Sequence, residues 1–305
     1  MKNKLSHVGE FGFIRLLQKR APLTRGVLHG IGDDAAVLAL GKGVKDTLML
    51  FTTDMMVEGV HFTRAMPAPG IGHKALACNI SDVAAMGGLP RFAVVSLGVP
   101  PDLEADFVRK MYEGLYRLAK RFHVAVVGGD TVRSSKIILN VALLGEVKKK
   151  DLVTRAGAKT GDMIFVSGPL GRSFSTGRHL SFTPRIAESR FLVGHFRPTA
   201  MIDISDGLIS DLGHILESSG VGARLYEGKI PKTKGAALKE ALSDGEDFEL
   251  LFTLSRQRAR RLMNLRNKNF KFYLIGEIVP GKERIELITE QGRVRRVKPK
   301  GFEHF

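Results

Sequence analysis

Five aspartates close apolar runs and stand beside glycine, serine or threonine: Asp34 in GIGDDAAV, Asp54 in FTTDMMVEGVHF, Asp82 in NISDVAAMGG, Asp130 in VVGGDT and Asp203 in IDISDGL. Carboxylates drawn together at element ends repel one another unless a cation neutralises them. Oxygen-only ligands suit Mg²⁺ or Ca²⁺ better than zinc or copper, and Mg²⁺ completes its shell with water and substrate phosphates. Any one of these aspartates, taken alone, reads as a turn former or a helix N-cap. Five repeats of one grammar, apolar strand then small residue then Asp, favour a cage for hard cations in a protein that handles a polyphosphate.

A chain of 305 residues exceeds the usual single core, so two domains are expected. With 44% hydrophobic residues the chain is globular. No apolar stretch reaches the ~20 residues of a membrane span, and MKNKLSHVGEFGF lacks the apolar core of a secretion signal, so a cytoplasmic protein is expected. The lone cysteine, Cys78 in KALACNI, has no internal disulfide partner and reads as a small buried hydrophobe. The net charge of +16 concentrates late, in RQRARR at 256–261 and RVRRVKPK at 293–300. Such a tail can bind nucleic acid through phosphates. Without zinc-finger spacing or an RNP-like motif, and with only 7% aromatic residues, a solvated basic face or adaptation to a salty or hot cytoplasm is the better reading.

Strands are predicted at 47–53 and 92–99, with a tightly packed alanine-rich helix over 73–87. Pro100 and Pro101 end a strand, and Asp102 is placed to cap a helix whose core stripe is Leu103, Phe107, Met111, Leu115 and Leu118. Strands at 123–127 and 137–145 follow. The run KKKD at 148–151 reads as a charged, exposed connector, which divides the chain into 1–148 and 149–305. The second half offers a strand at 162–167, the turn GPLG, and a strand at 200–204 feeding SDG and a helix over 208–218. Strands at 248–253 and 272–279 then flank a basic helix. The fold class is α/β, or α+β.

The ordered set GEFGFI, GIGDDAAV, FTTDMMVEGVHF, KALACNISDVAAMGG, VVGGDT, TRAGAKTGD, IDISDGL, SDGEDFELLFT and GFEHF closely resembles the thiamine-monophosphate kinase family, from Gly9 to Phe305. That family is similar to the aminoimidazole ribonucleotide synthetase-like superfamily. The resemblance implies an N-terminal dimerising α/β domain packed against a C-terminal α/β domain, and a homodimer. It also implies transfer of the γ-phosphoryl group of ATP to thiamine monophosphate, with several Mg²⁺ ions. By motif, Asp34, Asp54, Asp82, Asp130 and Asp203 would hold metal, with Thr52 and Thr53 adding oxygens and Asp206 holding a further ion. Asp54, Asp130 and Arg155 would stand at the reacting phosphates. Gly129, Asp130, Arg155 and Ser205 would bind ATP, with Gly129 letting backbone approach its phosphates. His61 and Glu246 would contact the acceptor, although charge alone does not separate Glu246 from Asp247 or Glu249.

The chain departs from the family in two places. It has no tryptophan, and Pro299 stands nearest the position where many members carry one against the substrate. The segment between GPLGRS and TPRIAES is short, about ten residues over 174–184. Other enzymes of the superfamily are the alternative. Selenophosphate synthetase and the hydrogenase-maturation dehydratase are disfavoured, because neither catalytic cysteine is present. A nucleic-acid binder would leave the acidic loops unexplained.

Overall fold

In the computed structural model, which describes residues 9–19, 21–22, 24–39, 46–265 and 269–298, period-two alternation builds the first sheet. Along strand β3 (Thr47–Val57), Leu48, Leu50, Thr52 and Met56 face inward, while Phe51, Thr53 and Met55 face outward. The other strands of this sheet are β1 (Val27–His29), β2 (Ala36–Ala39), β4 (Leu89–Val99), β5 (Ala125–Arg133) and β6 (Ile138–Lys148). Their spatial order is β1-β2-β3-β6-β4-β5. All neighbours are antiparallel except β4 and β5, a parallel pair that needs a helical crossover.

Helix α1 (Glu10–Gln18) precedes the sheet, and α2 (Ala68–Ala85) and α3 (Ala105–Phe122) cover one of its faces. Helix α2 is buried on nearly every side. It lies against β3, β6 and α3, and its far side meets the second half of the chain, so an apolar helix with no solvent stripe results. Helix α3 is amphipathic and buries Met111, Leu115 and Leu118. The two helices touch backbone to backbone. A Cβ on Gly114 would stand 1.8 Å from the Pro69 carbonyl oxygen, and one on Gly72 1.8 Å from that of Met111.

The second sheet contains β7 (Met163–Val166), β8 (Ala200–Asp203), β9 (Gly222–Tyr226), β10 (Leu250–Leu254), β11 (Tyr273–Val279), β12 (Ile285–Ile288) and β13 (Val294–Val297). Its order is β13-β12-β9-β11-β7-β10-β8, with only β9 and β12 parallel. Helices α4 (Ile186–His195), α5 (Leu208–Ser219), α6 (Leu238–Ser243) and α7 (Arg256–Met263) accompany it. Alternation splits its side chains between two cores. Ile164, Val166 and Ile202 pack with Leu208 and Leu212 of α5, whereas Phe165, Met201 and Phe252 pack with Leu192 of α4 and Leu262 of α7.

Three local expectations are corrected. Asp102 does not cap α3: the turn from Pro100 to Leu103 consumes it, Glu104 takes the cap position, and the helix starts at Ala105. His123, in left-handed conformation, ends α3, so β5 begins at Ala125 and parallel pairing carries it on to Arg133. In the KKKD run Lys148, Lys149 and Lys150 are exposed as expected, but Asp151 is buried against Arg190 at 3.1 Å while Arg190 also donates to the Gly87 carbonyl. Strands β9, β12 and β13 and helix α4 had no strong periodic signal. Cys78 packs against the first core as expected. No described helix is long and apolar enough to cross a membrane.

Because α2 carries functional groups toward both halves, its contact with α3 should tolerate no added volume. Gly114→Ala is expected to lose ~1–3 kcal/mol of stability in urea unfolding, and an unchanged midpoint would contradict the close helix contact.

Candidate active site

Three strand or helix ends converge on one point. Asp34 precedes β2, Asp82 lies on α2 and Asp203 ends β8, and each offers a carboxylate oxygen within 4.8 Å of the others. Thr52, facing inward from β3, donates to Asp82 at 2.5 Å, and Ser81 donates to Asp203 at 2.5 Å. Asp54 joins the group through a hydrogen bond shared with Asp82.

Burial dominates the electrostatics of these acids. It raises the Asp54 carboxyl to about 6, with Asp82 pulling it down and Asp34 pushing it up. It raises Asp203 to about 8, with Asp34 adding to the effect. Asp82 is held well above the ordinary range by burial and then by Asp54, Asp203 and Asp34. Asp34 is also raised by burial, which Arg155 opposes. The Arg155 guanidinium donates to Asp34 at 2.6 Å and its backbone N–H to Asp33 at 3.2 Å. One arginine therefore faces a group of acids it cannot neutralise. Asp34 Oδ2 and Asp54 Oδ2 are buried with no hydrogen-bond partner among the described residues. Orphaned oxygens in an all-oxygen donor set fit a hard divalent cation.

Above this floor opens a cleft of ≈ 800 Å³, lined by Asp34, Thr52, Thr53, Arg155, Ser205 and Asp206 among others. Asp206 also belongs to a second acidic group, with Asp211 and His214 of α5. The Asp211 carboxylate accepts from the backbone N–H groups of Asp206 and Gly207, both at 3.1 Å. Burial, then Arg155, lowers His214 to about 4, which leaves its imidazole neutral at pH 7. Asp33, Asp211 and His214 escaped the sequence reading. Asp211 and His214 had one available signal, since three-residue spacing places them on one helix face.

Glu246 forms a third element. Its carboxylate pairs with Lys74 of α2, whose Nζ also donates to the His61 carbonyl at 3.2 Å. The His61 ring is turned inward, its Nδ1 accepting from the Val57 N–H at 3.0 Å. His61 and Glu246 thus meet through Lys74, a residue only 1% exposed. Nothing in KALACNI signals this, because a lysine beside alanines reads as a solvated stem. The neighbouring acids are used elsewhere. Asp247 takes Arg178 and the Gly171 N–H, and Glu249 takes Arg185 and Ser167. Gly245, Glu246 and Phe248 all lie at positive φ, and the backbone strain at Glu246 and Phe248 marks this loop as specialised. The Glu246 N–H donates to the Ser205 carbonyl at 2.7 Å, so the loop leans on the cleft wall.

Asp130 and Gly129 stand apart. The pairing Asp130–Ser96–Asn140–Met55 runs along the open face of the first sheet, whereas Asp54 pairs with Val141 on the helix-covered face. Three strand spacings, about 14 Å, separate Asp130 from β3. A Cβ on Gly129 would meet the Val95 carbonyl oxygen at 1.8 Å, so the neighbouring strand demands this glycine. Thr53 also points to the open face, toward Asn140 and the Val141 carbonyl. The GFEHF terminus and Pro299 lie outside the described residues.

Residues 32–147 match the family model described as AIR synthase related protein, N-terminal domain, and residues 124–288 match its C-terminal domain. The class is therefore a two-domain AIR synthase related protein, as the motifs and the mixed α/β sheets implied. The thiamine-monophosphate kinase of Aquifex aeolicus is 35% identical over 330 aligned residues, covering 99% of this chain and 100% of that protein. That of Bacillus subtilis is 37% identical, covering 81% of this chain and 84% of its own. The solved structure of AaThiL complexed with AMPPCP and TMP superposes with a TM-score of 0.86 at 33% identity, over 100% of both chains. The chain belongs to the thiamine-monophosphate kinase family.

The raised carboxyls link stability to pH. Because Asp54 and Asp203 hold protons in the fold up to about 6 and about 8, against 3.8 ordinarily, the folded state binds more protons than the unfolded. Their contribution is full at low pH and is lost as pH rises through those values. In chelator, the Tm should fall between about pH 5 and about pH 9, and fall less in Asp203→Asn. Added Mg²⁺ should restore most at the alkaline end. A Tm that instead climbs across this window, equally in both proteins, would contradict the buried cluster.

Proposed function

We propose that the chain transfers the γ-phosphoryl group of ATP directly and in line to thiamine monophosphate, giving thiamine diphosphate, with Mg²⁺ held by the acidic floor of the cleft. The observation that carries this reading is the meeting of Asp34, Asp82 and Asp203 within 4.8 Å, beside buried carboxylate oxygens that nothing else satisfies. Asp34, Asp54, Asp82 and Asp203 would hold the metal, with Thr52 beside them and Asp206 for a further ion. When bound, Mg²⁺ cancels repulsion between the two phosphates and stabilises charge in the transition state. The acceptor phosphate is already anionic, so the protein must position rather than deprotonate it.

The chain's own groups supply that positioning. Arg155 presents a planar fork at the cleft, suited to phosphate oxygens. Ser205 stands in the turn before α5, where a hydroxyl and helix-start N–H groups receive an anion. Glu246, with Lys74 and His61, takes the ring end of the acceptor. Lys74 and Asp82 are eight residues apart on α2, about 12 Å along its axis, so one rigid helix spaces the acceptor's two ends. In this division, residues 1–148 supply most of the metal site, and residues 149–305 supply Asp203, Ser205, Arg155 and Glu246. We place the enzyme in the cytoplasm, the compartment that supplies ATP.

The open face of the first sheet supports a homodimer. Phe51, Met55, Phe92, Val94 and Val132 are all exposed there, apolar side chains among Thr53, Ser96 and Asp130 that a second copy would cover. Asp130 and Gly129 then reach a nucleotide from the partner's side. Among the described residues the basic runs of the late region separate, with α7 packed on β10 and β13 at the opposite sheet edge, so that these runs offer nucleic acid no single basic face.

Asp54→Asn and Asp130→Asn should each abolish conversion of thiamine monophosphate while leaving the protein folded. Mixing the two inactive proteins should restore up to about one quarter of wild-type activity if Asp130 serves across the dimer, since one site in each mixed dimer is intact. No recovery from verified mixed dimers would place Asp130 in its own subunit's site. Phosphorylation of another acceptor in preference, measured by profiling with labelled ATP, would overturn the assignment of substrate.

A further inference from the structure

The short segment 172–182 lies against both elements that hold Glu246. Arg178 donates to Asp247, the residue after Glu246, and to the Pro169 carbonyl at 3.1 Å. The Arg172 N–H donates to Asp244 at 3.3 Å. On the other side, His73, next to Lys74, bonds the Phe182 carbonyl at 2.7 Å, and Leu180 packs on Gly70. The segment also closes on itself, with Thr176 Oγ1 donating to the Arg172 carbonyl at 2.7 Å. The segment that is short against the family pattern thus folds as a turn closed by its own hydrogen bonds, next to the loop of Glu246.

This turn carries an aromatic pair. Phe174 stacks on His179 with ring centroids 4.6 Å apart and planes 16° from parallel. His179 is 0% exposed, while Phe174 is 48% exposed. Among the described residues the other exposed phenylalanines are Phe51 and Phe92, both on the open sheet face. Phe174 is therefore an apolar ring presented near the substrate pair in a chain that has no tryptophan.

The polar atoms beneath it are of one kind. His179 Nδ1 lies 3.1 Å from the Ser173 carbonyl, which only accepts, so Nδ1 carries the proton. In the neutral ring Nε2 is then an acceptor, and it is buried with no partner among the described residues. Glu246 Oε2, the oxygen not paired with Lys74, is likewise a buried acceptor without a partner among them. His179 lies close enough to feel the charges of Lys74 and Glu246. Glu246 Oε2, an unsatisfied acceptor near an exposed ring, calls for a flat ligand bearing an N–H donor.

We propose that Phe174, seated on His179, is the platform on which the thiamine portion of the acceptor stacks, with Glu246 Oε2 accepting from the amine of its aminopyrimidine. The proposal rests on thiamine monophosphate being the acceptor. Phe174 then fixes which acceptor binds, by ring stacking and by the attraction of an aromatic face for the cationic thiazolium. It takes no part in the phosphoryl transfer.

Steady-state kinetics on the full-length protein test this. Phe174→Ala should raise the KM for thiamine monophosphate on the order of tenfold, with the KM for ATP and kcat little changed. Phe174→Tyr should restore it and Phe174→Leu should not. A thiamine monophosphate analogue with oxygen in place of the pyrimidine amine should compete weakly against the natural acceptor. An unchanged KM in Phe174→Ala, equal rescue by leucine, or tight binding of the deaminated analogue would each overturn the platform while leaving the kinase reading intact. A wild-type protein that fails to phosphorylate thiamine monophosphate would overturn both.

Discussion

The structure depends on repulsion that the protein alone does not relieve. Asp34, Asp82 and Asp203 come from three separate elements and meet beneath the cleft, with Asp54 tied to them. A protein built only for stability would replace such a group with apolar side chains, since buried charges are weak stabilisers even when paired. Here the hydroxyls of Thr52 and Ser81 and the guanidinium of Arg155 hold the acids in place without satisfying them. Proton retention is the resting compromise, and a divalent cation is the ligand that this compromise favours.

Helix α2 makes the arrangement possible. Its small residues let α3 approach at Gly72, and its length spaces Lys74 from Asp82. One end faces the loop of Glu246 and the turn of Phe174, and the other faces the acids. In the proposed binding mode a single rigid element would relate the acceptor's ring to its phosphate, which is the requirement for in-line transfer between two anions. The strained loop at 245–248 and the turn at 172–182 both brace against this helix or its partners.

Much of this was legible in the residues, for identifiable reasons. Asp34, Asp82 and Asp203 stand at or near element ends, as the close of an apolar run implies, whereas Asp54 lies inside β3, whose pairing runs on to Val57. The strands at 47–53 and 92–99 and the helix over 208–218 were clear for the same reason. Lys74 was hidden, because burial of a lysine depends on an acid 172 residues away in sequence. The face on which Asp130 lies depends on the pairing of four strands, and a one-residue change of register would move it to the other side. Gly129 was singled out for an approach to nucleotide phosphates, and within the chain its close approach is to the Val95 carbonyl oxygen. Asp151 in KKKD looked solvated because its partner, Arg190, lies far along the chain.

The account is tested most directly by locating the cation. Crystals grown with Mn²⁺ in place of Mg²⁺ and a non-hydrolysable ATP analogue would report the ion by anomalous scattering. A peak among the carboxylates of Asp34, Asp82 and Asp203 is the result expected. An active enzyme whose maps show no ion there, with Arg155 still bound to Asp34, would contradict it.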